Sequence, residues 1–139
     1  MNEHEAKLIT AFIAKDKQDR YRFLLGSDDT KRRNECLNRL NHCRDLNEKY
    51  VTWLPRNPRS TTRNTEIAAM LREKGSPKLV YVLACSCSAD GKTMPLLEAM
   101  NTTTDAGWGT IISCVPGELA YYYDEEGERR AILEREPTT

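Results

Sequence analysis

Residues 86–93 (SCSADGKT) have the residue types and spacing that come nearest to a phosphate-binding motif. They lie between an apolar run and a predicted helix and end in Gly-Lys-Thr, as does the loop G-x-x-x-x-G-K-[ST], whose backbone amides hold phosphates. However, Ser86 stands where that motif has its first glycine, and Pro95 stands where the helix should already donate N–H groups. The next predicted strand also lacks a terminal aspartate to hold Mg²⁺. We therefore interpret these residues as a polar loop with an Asp-Gly turn rather than as a nucleotide triphosphatase site.

Three of the five cysteines form a second group that could do chemistry. Cys85 and Cys114 lie at the ends of two apolar runs. If these runs form neighbouring parallel strands, both cysteines lie at the carboxyl edge of the sheet, where open α/β sheets bind ligands. Cys87 could reach the same space. Thiolates brought together there could hold a soft metal or supply a nucleophile. No fourth metal ligand accompanies them, and the number of cysteines is odd. We therefore expect free, structural thiols, with no metal and no cofactor.

The ligand site that these patterns predict lies where residues 86–92 meet residues 114–117. Asp90 and the loop amides would position a polar ligand there, and the glycines would permit close approach of the backbone. Ordinary turn geometry explains the glycines equally well. The candidate ligand-binding residues are Cys87, Asp90, Gly91, Lys92, Cys114 and Gly117.

A basic stretch, residues 31–63, predicts a different kind of site. It contains nine Lys and Arg residues against three acidic ones, and aromatic side chains lie among them. Aromatic rings interleaved with cations can stack nucleic-acid bases, so association with nucleic acid or the ribosome is an alternative function. The formal net charge of the whole chain is zero, whereas dedicated nucleic-acid-binding domains are strongly basic. The candidate residues for this alternative are Arg32, Arg33, Arg39 and Trp53.

The elements that must position these residues differ between the two halves of the chain. Residues 1–76 are predicted to be mainly helical, since apolar residues recur with helical spacing in four places: residues 8–13, 21–25, 36–43 and 67–71. Gly26 and Gly75 are suitable helix stops, and Ser27, Asp28 or Asp29 can cap the helix whose apolar line is at 36–43. Residues 50–55 are expected to be extended or irregular, and the prolines and polar residues of 56–63 predict an exposed loop.

Residues 77–136 change to the pattern of strands. A continuous apolar run at 78–85 is typical of a strand buried on both faces, and residues 110–115 form a second such run after a predicted helix. These three elements predict one right-handed βαβ unit, and turns then lead to strands at 118–124 and 129–134 in an antiparallel meander. We therefore predict a single domain over residues 1–139, of the α/β (α+β-like) class. Its N-terminal helices would pack on one face of a small mixed sheet of about four strands.

Charge and apolar patterning favour some classes of protein over others. Residues 1–76 contain 16 basic and 11 acidic residues, whereas residues 77–139 contain 5 and 10, so the two halves carry opposite net charge. No apolar run approaches the roughly 20 residues that cross a bilayer, and the first residues lack the pattern of a secretory signal. We therefore predict a cytoplasmic protein that does not contact membranes.

No motif of a known enzyme class is present in full. The sequence contains no G-x-S-x-G, H-E-x-x-H or G-x-G-x-x-G pattern. We therefore predict a non-catalytic binding or interaction module, with an unknown protein partner or a second copy of itself in a homodimer. A small enzyme with a cysteine nucleophile at the carboxyl edge of the parallel strands is the competing hypothesis.

Overall fold

A computed structural model describes residues 1–42, 44–55, 60–125 and 129–136, with only the backbone described at 60–62. Within these ranges the chain forms five α-helices: α1 (Glu3–Phe12), α2 (Gln18–Leu25), α3 (Thr30–Arg39), α4 (Ser60–Glu73) and α5 (Leu96–Ala106). The same ranges contain six β-strands: β1 (Val51–Trp53), β2 (Leu79–Ala84), β3 (Thr93–Pro95), β4 (Thr110–Val115), β5 (Leu119–Tyr123) and β6 (Arg130–Glu134). No helix among these described residues is both long and apolar enough to cross a membrane.

The six strands form one sheet in the order β1-β6-β5-β4-β2-β3, and every neighbouring pair is antiparallel. The predicted parallel βαβ unit is therefore wrong, and so is the predicted number of about four strands. Tyr81 of β2 lies opposite Ser113 of β4, and Ala84 lies opposite Thr110. A strand covered on both faces reads as a continuous apolar run in either direction, so the run did not reveal the direction of β4.

The strand β3 accounts for the reversed direction of β4. It pairs antiparallel with β2, so the chain has already returned to the beginning of β2 before α5 starts. The N–H of Leu96, the first residue of α5, donates to the carbonyl of Lys78 just before β2. The helix then carries the chain back along the sheet, and β4 begins beside the end of β2. A three-residue strand thus changes the topology from parallel to antiparallel.

Helices cover both faces of this sheet, which gives three layers. Helices α1, α2 and α3 pack on one face, and helices α4 and α5 pack on the other. The prediction that the helices lie on one side of the sheet is therefore corrected: only the first three do. Alternate residues of β5 show the arrangement, because Tyr122 faces α1–α3 whereas Tyr121 and Tyr123 face α4 and α5. All three tyrosines are buried, so none of them forms an exposed aromatic surface.

The ends of the helices follow the polar and glycine residues around them. Asn2 caps α1 by accepting a hydrogen bond from the N–H of Glu5, whose side chain in turn accepts one from the N–H of Asn2. Asp29 caps α3 through the N–H of Lys31, which confirms one of the three predicted caps. Gly107 ends α5 in the left-handed conformation, with φ of +78°.

The edge strands β1 and β3 are each only three residues long. Pro95 lies within β3, and Pro55 follows β1 by two residues. Short edges with nearby proline are poor templates for pairing with another chain, because few free N–H and C=O groups are in register. The homodimer therefore stays a prediction, and these edges do not favour its formation by sheet extension.

A single non-glycine residue in the described ranges, Ser86, has a left-handed backbone, with φ of +49°. Such a conformation costs a residue with a Cβ about 1–2 kcal/mol, whereas glycine adopts it freely. We expect Ser86→Gly to raise the free energy of unfolding by about 0.5–1 kcal/mol, after the extra chain entropy of glycine is subtracted. Urea denaturation measures this change. The exposed Ser88 has no left-handed backbone, so Ser88→Gly should lower stability, and equal losses in both variants would contradict the prediction.

Candidate functional site

The structure does not bring together residues 86–92 and residues 114–117, between which the sequence predicts a ligand site. Cys85 follows the end of β2 and donates its N–H to Gly109, whereas Cys114 lies four residues after Thr110, the partner of Ala84. Because Cys85 lies opposite Gly109, the two cysteines are five residues apart in register, or about 17 Å along the sheet at the usual rise of a strand. They also face opposite sides, Cys85 toward α1–α3 and Cys114 toward α4 and α5. The antiparallel direction of β4 is the physical reason, because it places the two strand ends at opposite edges.

Within residues 86–92, the Asp90 carboxylate is engaged in holding its own loop. It accepts hydrogen bonds from the N–H of Ala84 at 3.1 Å and from two guanidinium nitrogens of Arg33 at 2.9 and 3.1 Å. Gly91 makes the tight turn, with φ of +78°, and its N–H donates to the carbonyl of Val82. Lys92 is exposed. The loop therefore lies along β2 and directs Asp90 toward Arg33 rather than toward a ligand.

Arg33 joins α3 to two other parts of the chain. Its guanidinium donates to Glu5 on α1 at 2.8 Å as well as to Asp90, and the Tyr81 hydroxyl donates to the same Glu5 carboxylate at 2.8 Å. The hydrogen bond to Asp90 raises the pKa of Arg33 most, followed by that to Glu5, while burial opposes the rise. Glu5 is 4% exposed, so these donors take the place of water as the hydrogen-bond partners of its carboxylate. Sequence reasoning missed this cluster because its members lie 28 and 57 residues from Arg33.

The residues predicted to contact nucleic acid mostly have partners within the protein. Arg39 pairs with Asp45 at 3.5 Å, and the indole N–H of Trp53 donates to Glu48 at 3.0 Å. The guanidinium of Arg129 lies 4.1 Å from the centre of the Trp53 ring. Since Arg33 also pairs internally, three of the four candidates have an acidic partner, and Arg32 donates to the Ser27 hydroxyl at 3.5 Å. The fourth, Arg32, is exposed and lies over the ring of Phe23 at 4.7 Å.

One pair of side chains resembles a nucleophile and its base. His4 Nδ1 and Ser113 Oγ are 2.7 Å apart, and the imidazole stacks on the Tyr81 ring with centroids 5.3 Å apart. Burial lowers the pKa of His4, so the neutral imidazole is favoured. However, Ser113 is only 1% exposed in the middle of the sheet. Its hydroxyl is inaccessible to a substrate, and the pair therefore satisfies two polar groups beneath α1.

Burial also separates the cysteines by reactivity. It raises the pKa of Cys36 to about 12 and that of Cys114 to about 11, so these thiols carry little thiolate near neutral pH. Cys87 is only half-buried, and Cys43 lies outside the described residues.

We expect iodoacetamide at pH 7.5 to label Cys87 at least tenfold faster than Cys36 or Cys114, because alkylation requires an accessible thiolate. Peptide mass mapping over time measures the three rates. Cys87→Ser should remove the fast site and leave the slow rates unchanged. Labelling of Cys114 as fast as Cys87 in the folded protein would overturn this expectation and restore Cys114 as a candidate nucleophile.

A concave groove lies beside the turn between β4 and β5. It consists of two adjoining cavities of about 330 and 300 Å³ that share Glu118, Arg135 and Glu136. We call this surface the β4–β5 groove. Its remaining lining residues are Lys7, Thr10, Ala11, Lys74, Val115, Pro116, Gly117, Leu119 and Glu134. Gly117 is thus the one predicted ligand-binding residue that lines it.

Close packing shapes one wall of the β4–β5 groove at Gly117. This residue has φ of +73°, and a Cβ placed on it would lie 3.1 Å from the Cβ of Lys7 on α1. Glycine therefore permits both the turn and the contact with the helix. No sequence signal identified the other lining residues, because they come from α1, α4, the β4–β5 turn and the segment after β6.

Comparison with known proteins identifies no relative: no protein-family model, no curated protein and no solved structure matches the chain. The residues described also contain no group of three or more His, Cys, Asp or Glu side chains arranged to hold a metal ion. Functional inference therefore rests on the geometry of the groove and on the side chains around it.

Proposed function

We propose that this protein is a non-catalytic interaction module that binds a protein partner in the β4–β5 groove. The observation that carries the proposal is the groove itself, with cavities of about 330 and 300 Å³ on the two sides of Arg135 and Glu136. Each cavity has the volume of a small ligand pocket, and together they form an open surface longer than one pocket. An extended peptide segment fits such a surface better than an enclosed small molecule does.

The chemistry of the groove supports binding rather than catalysis. Its charged side chains are lysines, an arginine and glutamates, and its lining includes neither histidine nor cysteine. The burial of Cys114 and of the Ser113 hydroxyl also argues against catalysis by these two side chains. We further propose a cytoplasmic location, which the free state of the four described cysteines supports.

Peptide selection with a blocked groove tests this proposal. Thr10 is exposed on α1 and lines the groove, so Thr10→Trp would fill part of it without entering the core. The exposed Thr65 on α4 lies outside the groove lining, and Thr65→Trp is the matched control. A displayed library of random dodecapeptides is selected on the unmodified chain, and each enriched peptide is measured against both variants.

We expect enriched peptides to bind the unmodified protein and Thr65→Trp equally and to lose at least tenfold in affinity for Thr10→Trp. The physical reason is steric, because the indole ring occupies the space of the peptide. Failure to enrich any peptide, or equal binding to both tryptophan variants, would show that the groove is not the binding surface.

Nucleic-acid association is the second candidate, and one observation favours it. Phe23 is 53% exposed, and the guanidinium groups of Arg32 and Arg20 lie 4.7 and 5.9 Å from its ring centre. Such an aromatic and cationic surface can stack bases and contact phosphates. Arg32→Glu should then abolish binding of a labelled fifteen-residue oligothymidine, while Lys78→Glu, the same charge change at another exposed site, should not. If both variants weaken oligothymidine binding equally, the binding reflects non-specific charge attraction and not a site at Phe23.

A further inference from the structure

The cations of the β4–β5 groove already have partners within the chain. Lys7 pairs with Glu3 at 2.7 Å, and Lys74 pairs with Glu134 at 2.7 Å. Arg135 donates to the carbonyl of Ala11 at 3.3 Å, and its guanidinium also lies 4.6 Å from the centre of the Tyr50 ring. Lys7 and Lys74 are therefore neutralised by acidic partners, whereas Arg135 keeps its positive charge because its two partners are uncharged.

Two carboxylates of the groove differ from these cations. Neither Glu118 nor Glu136 forms an ion pair within 4 Å with any residue of the described part of the chain. The charge of Glu118 makes the smallest contribution to the raised pKa of Lys7, whose ammonium is held mainly by Glu3. Both glutamates line both cavities. The charged residues that line both cavities are Glu118, Glu136 and Arg135, which carry two negative charges and one positive charge, so one negative charge is left over.

The backbone around Glu118 is fixed before any partner arrives. Its N–H donates to the carbonyl of Val115 at 3.0 Å, and its carbonyl accepts from the N–H of Arg135 at 2.9 Å. Gly117 makes the turn that brings the residue against α1. A half-buried carboxylate on a turn that is hydrogen-bonded on both sides loses little freedom when a donor binds.

We infer that the β4–β5 groove selects a protein segment with lysine or arginine side chains, one of which donates to the carboxylate of Glu118. This inference rests on the proposed interaction function and identifies the chemistry of its partner. Charge complementarity favours such a segment, because a cationic side chain neutralises Glu118 and Glu136 whereas an acidic side chain is repelled by them. The negative net charge of residues 77–139 acts in the same direction at longer range.

Two labelled peptides test this charge selectivity. One is a fluorescein-labelled decapeptide of alternating lysine and alanine, and the other has glutamate in place of lysine. Fluorescence polarisation with the full chain should show saturable binding of the lysine peptide only, weakened by raising the salt concentration. Glu118→Gln should weaken this binding about tenfold, the usual effect of removing a charge-assisted hydrogen bond.

Glu98 provides a control with the same change of charge. It is exposed on α5 and lies outside the groove lining, so Glu98→Gln should leave binding of the lysine peptide unchanged. Equal weakening by Glu98→Gln and Glu118→Gln, or absence of saturable binding, would overturn the inference by showing only diffuse attraction or none.

The tryptophan variants separate this inference from the proposed function. If library peptides bind the groove and lose affinity for Thr10→Trp, but are not basic and are insensitive to Glu118→Gln, the interaction function stands and the charge selectivity is wrong. If no peptide of any charge shows sensitivity to Thr10→Trp, both are wrong.

Discussion

Gly109→Ala is expected to lower the free energy of unfolding by about 3 kcal/mol or more, the largest effect of any single methyl group that we expect in this protein. A Cβ at this position would lie 2.5 Å from the carbonyl oxygen of Leu40 and 2.6 Å from the backbone nitrogen of Asn41. These atoms are backbone, so no change of rotamer relieves the overlap. The substitution would also displace the Gly109 N–H from the Asn41 side chain, to which it donates at 2.6 Å.

Gly107→Ala separates this packing effect from the conformational freedom of glycine. Gly107 has φ of +78°, and nothing lies within 4 Å of the position of its Cβ. Its substitution should cost only the roughly 1–2 kcal/mol of a left-handed alanine. Urea denaturation of both variants gives the comparison. A Gly109→Ala protein as stable as Gly107→Ala would show that the connection after α3 moves away easily and that the contact is not close.

Arg33→Met is expected to cost about 3 kcal/mol, the second largest effect. The substitution keeps much of the aliphatic volume and removes the guanidinium that donates to Glu5 and Asp90. Because Glu5 is 4% exposed, its carboxylate would be left buried without a cation, and removal of one partner from a buried ion pair commonly costs 3–5 kcal/mol. The partial exposure of the Arg33 side chain, 26%, places our expectation at the lower end. The midpoint of urea denaturation measures the loss.

Two further variants show whether the loss comes from the ion pairs. Arg32 is exposed on the same helix, so Arg32→Met should change stability by less than about 0.5 kcal/mol. Adding Glu5→Gln to Arg33→Met removes the uncompensated charge and should recover part of the loss, which a double-mutant cycle detects. Additive effects of the two substitutions would mean that Arg33 contributes by packing alone.

Local patterns in the sequence identified most of the elements correctly. The run at 110–115 matches β4, and the predicted strand at 78–85 contains β2 with one extra residue at each end. Helical apolar spacing likewise located α1, α2 and α4. These elements are buried on a defined face, and burial forces a periodicity of 3.6 or 2 residues, or a continuous apolar run, that is visible in one short window.

Short edge strands left a weaker pattern. Residues 93–95 were included in the polar loop and the start of the helix, yet they form β3. In this strand two of three residues are exposed, so neither an apolar run nor an alternation marks it. One missed strand was enough to make the predicted β2–β4 pair parallel, and the candidate ligand site was then placed at an edge where its residues do not meet.

The sequence by itself thus determined most of the buried helices and strands, though not the edge strand β3, and that they form a mixed helix-and-sheet domain. Only the tertiary structure decided the direction of β4, the use of Arg33 inside the protein and the position of the β4–β5 groove. Glu5, Arg33 and Asp90 are brought together from α1, α3 and the loop after β2, and Lys7, Glu118 and Arg135 from α1, the β4–β5 turn and the segment after β6. The physical reason is that hydrophobic periodicity shows which residues of one element are buried, whereas a functional site depends on which distant elements pack together.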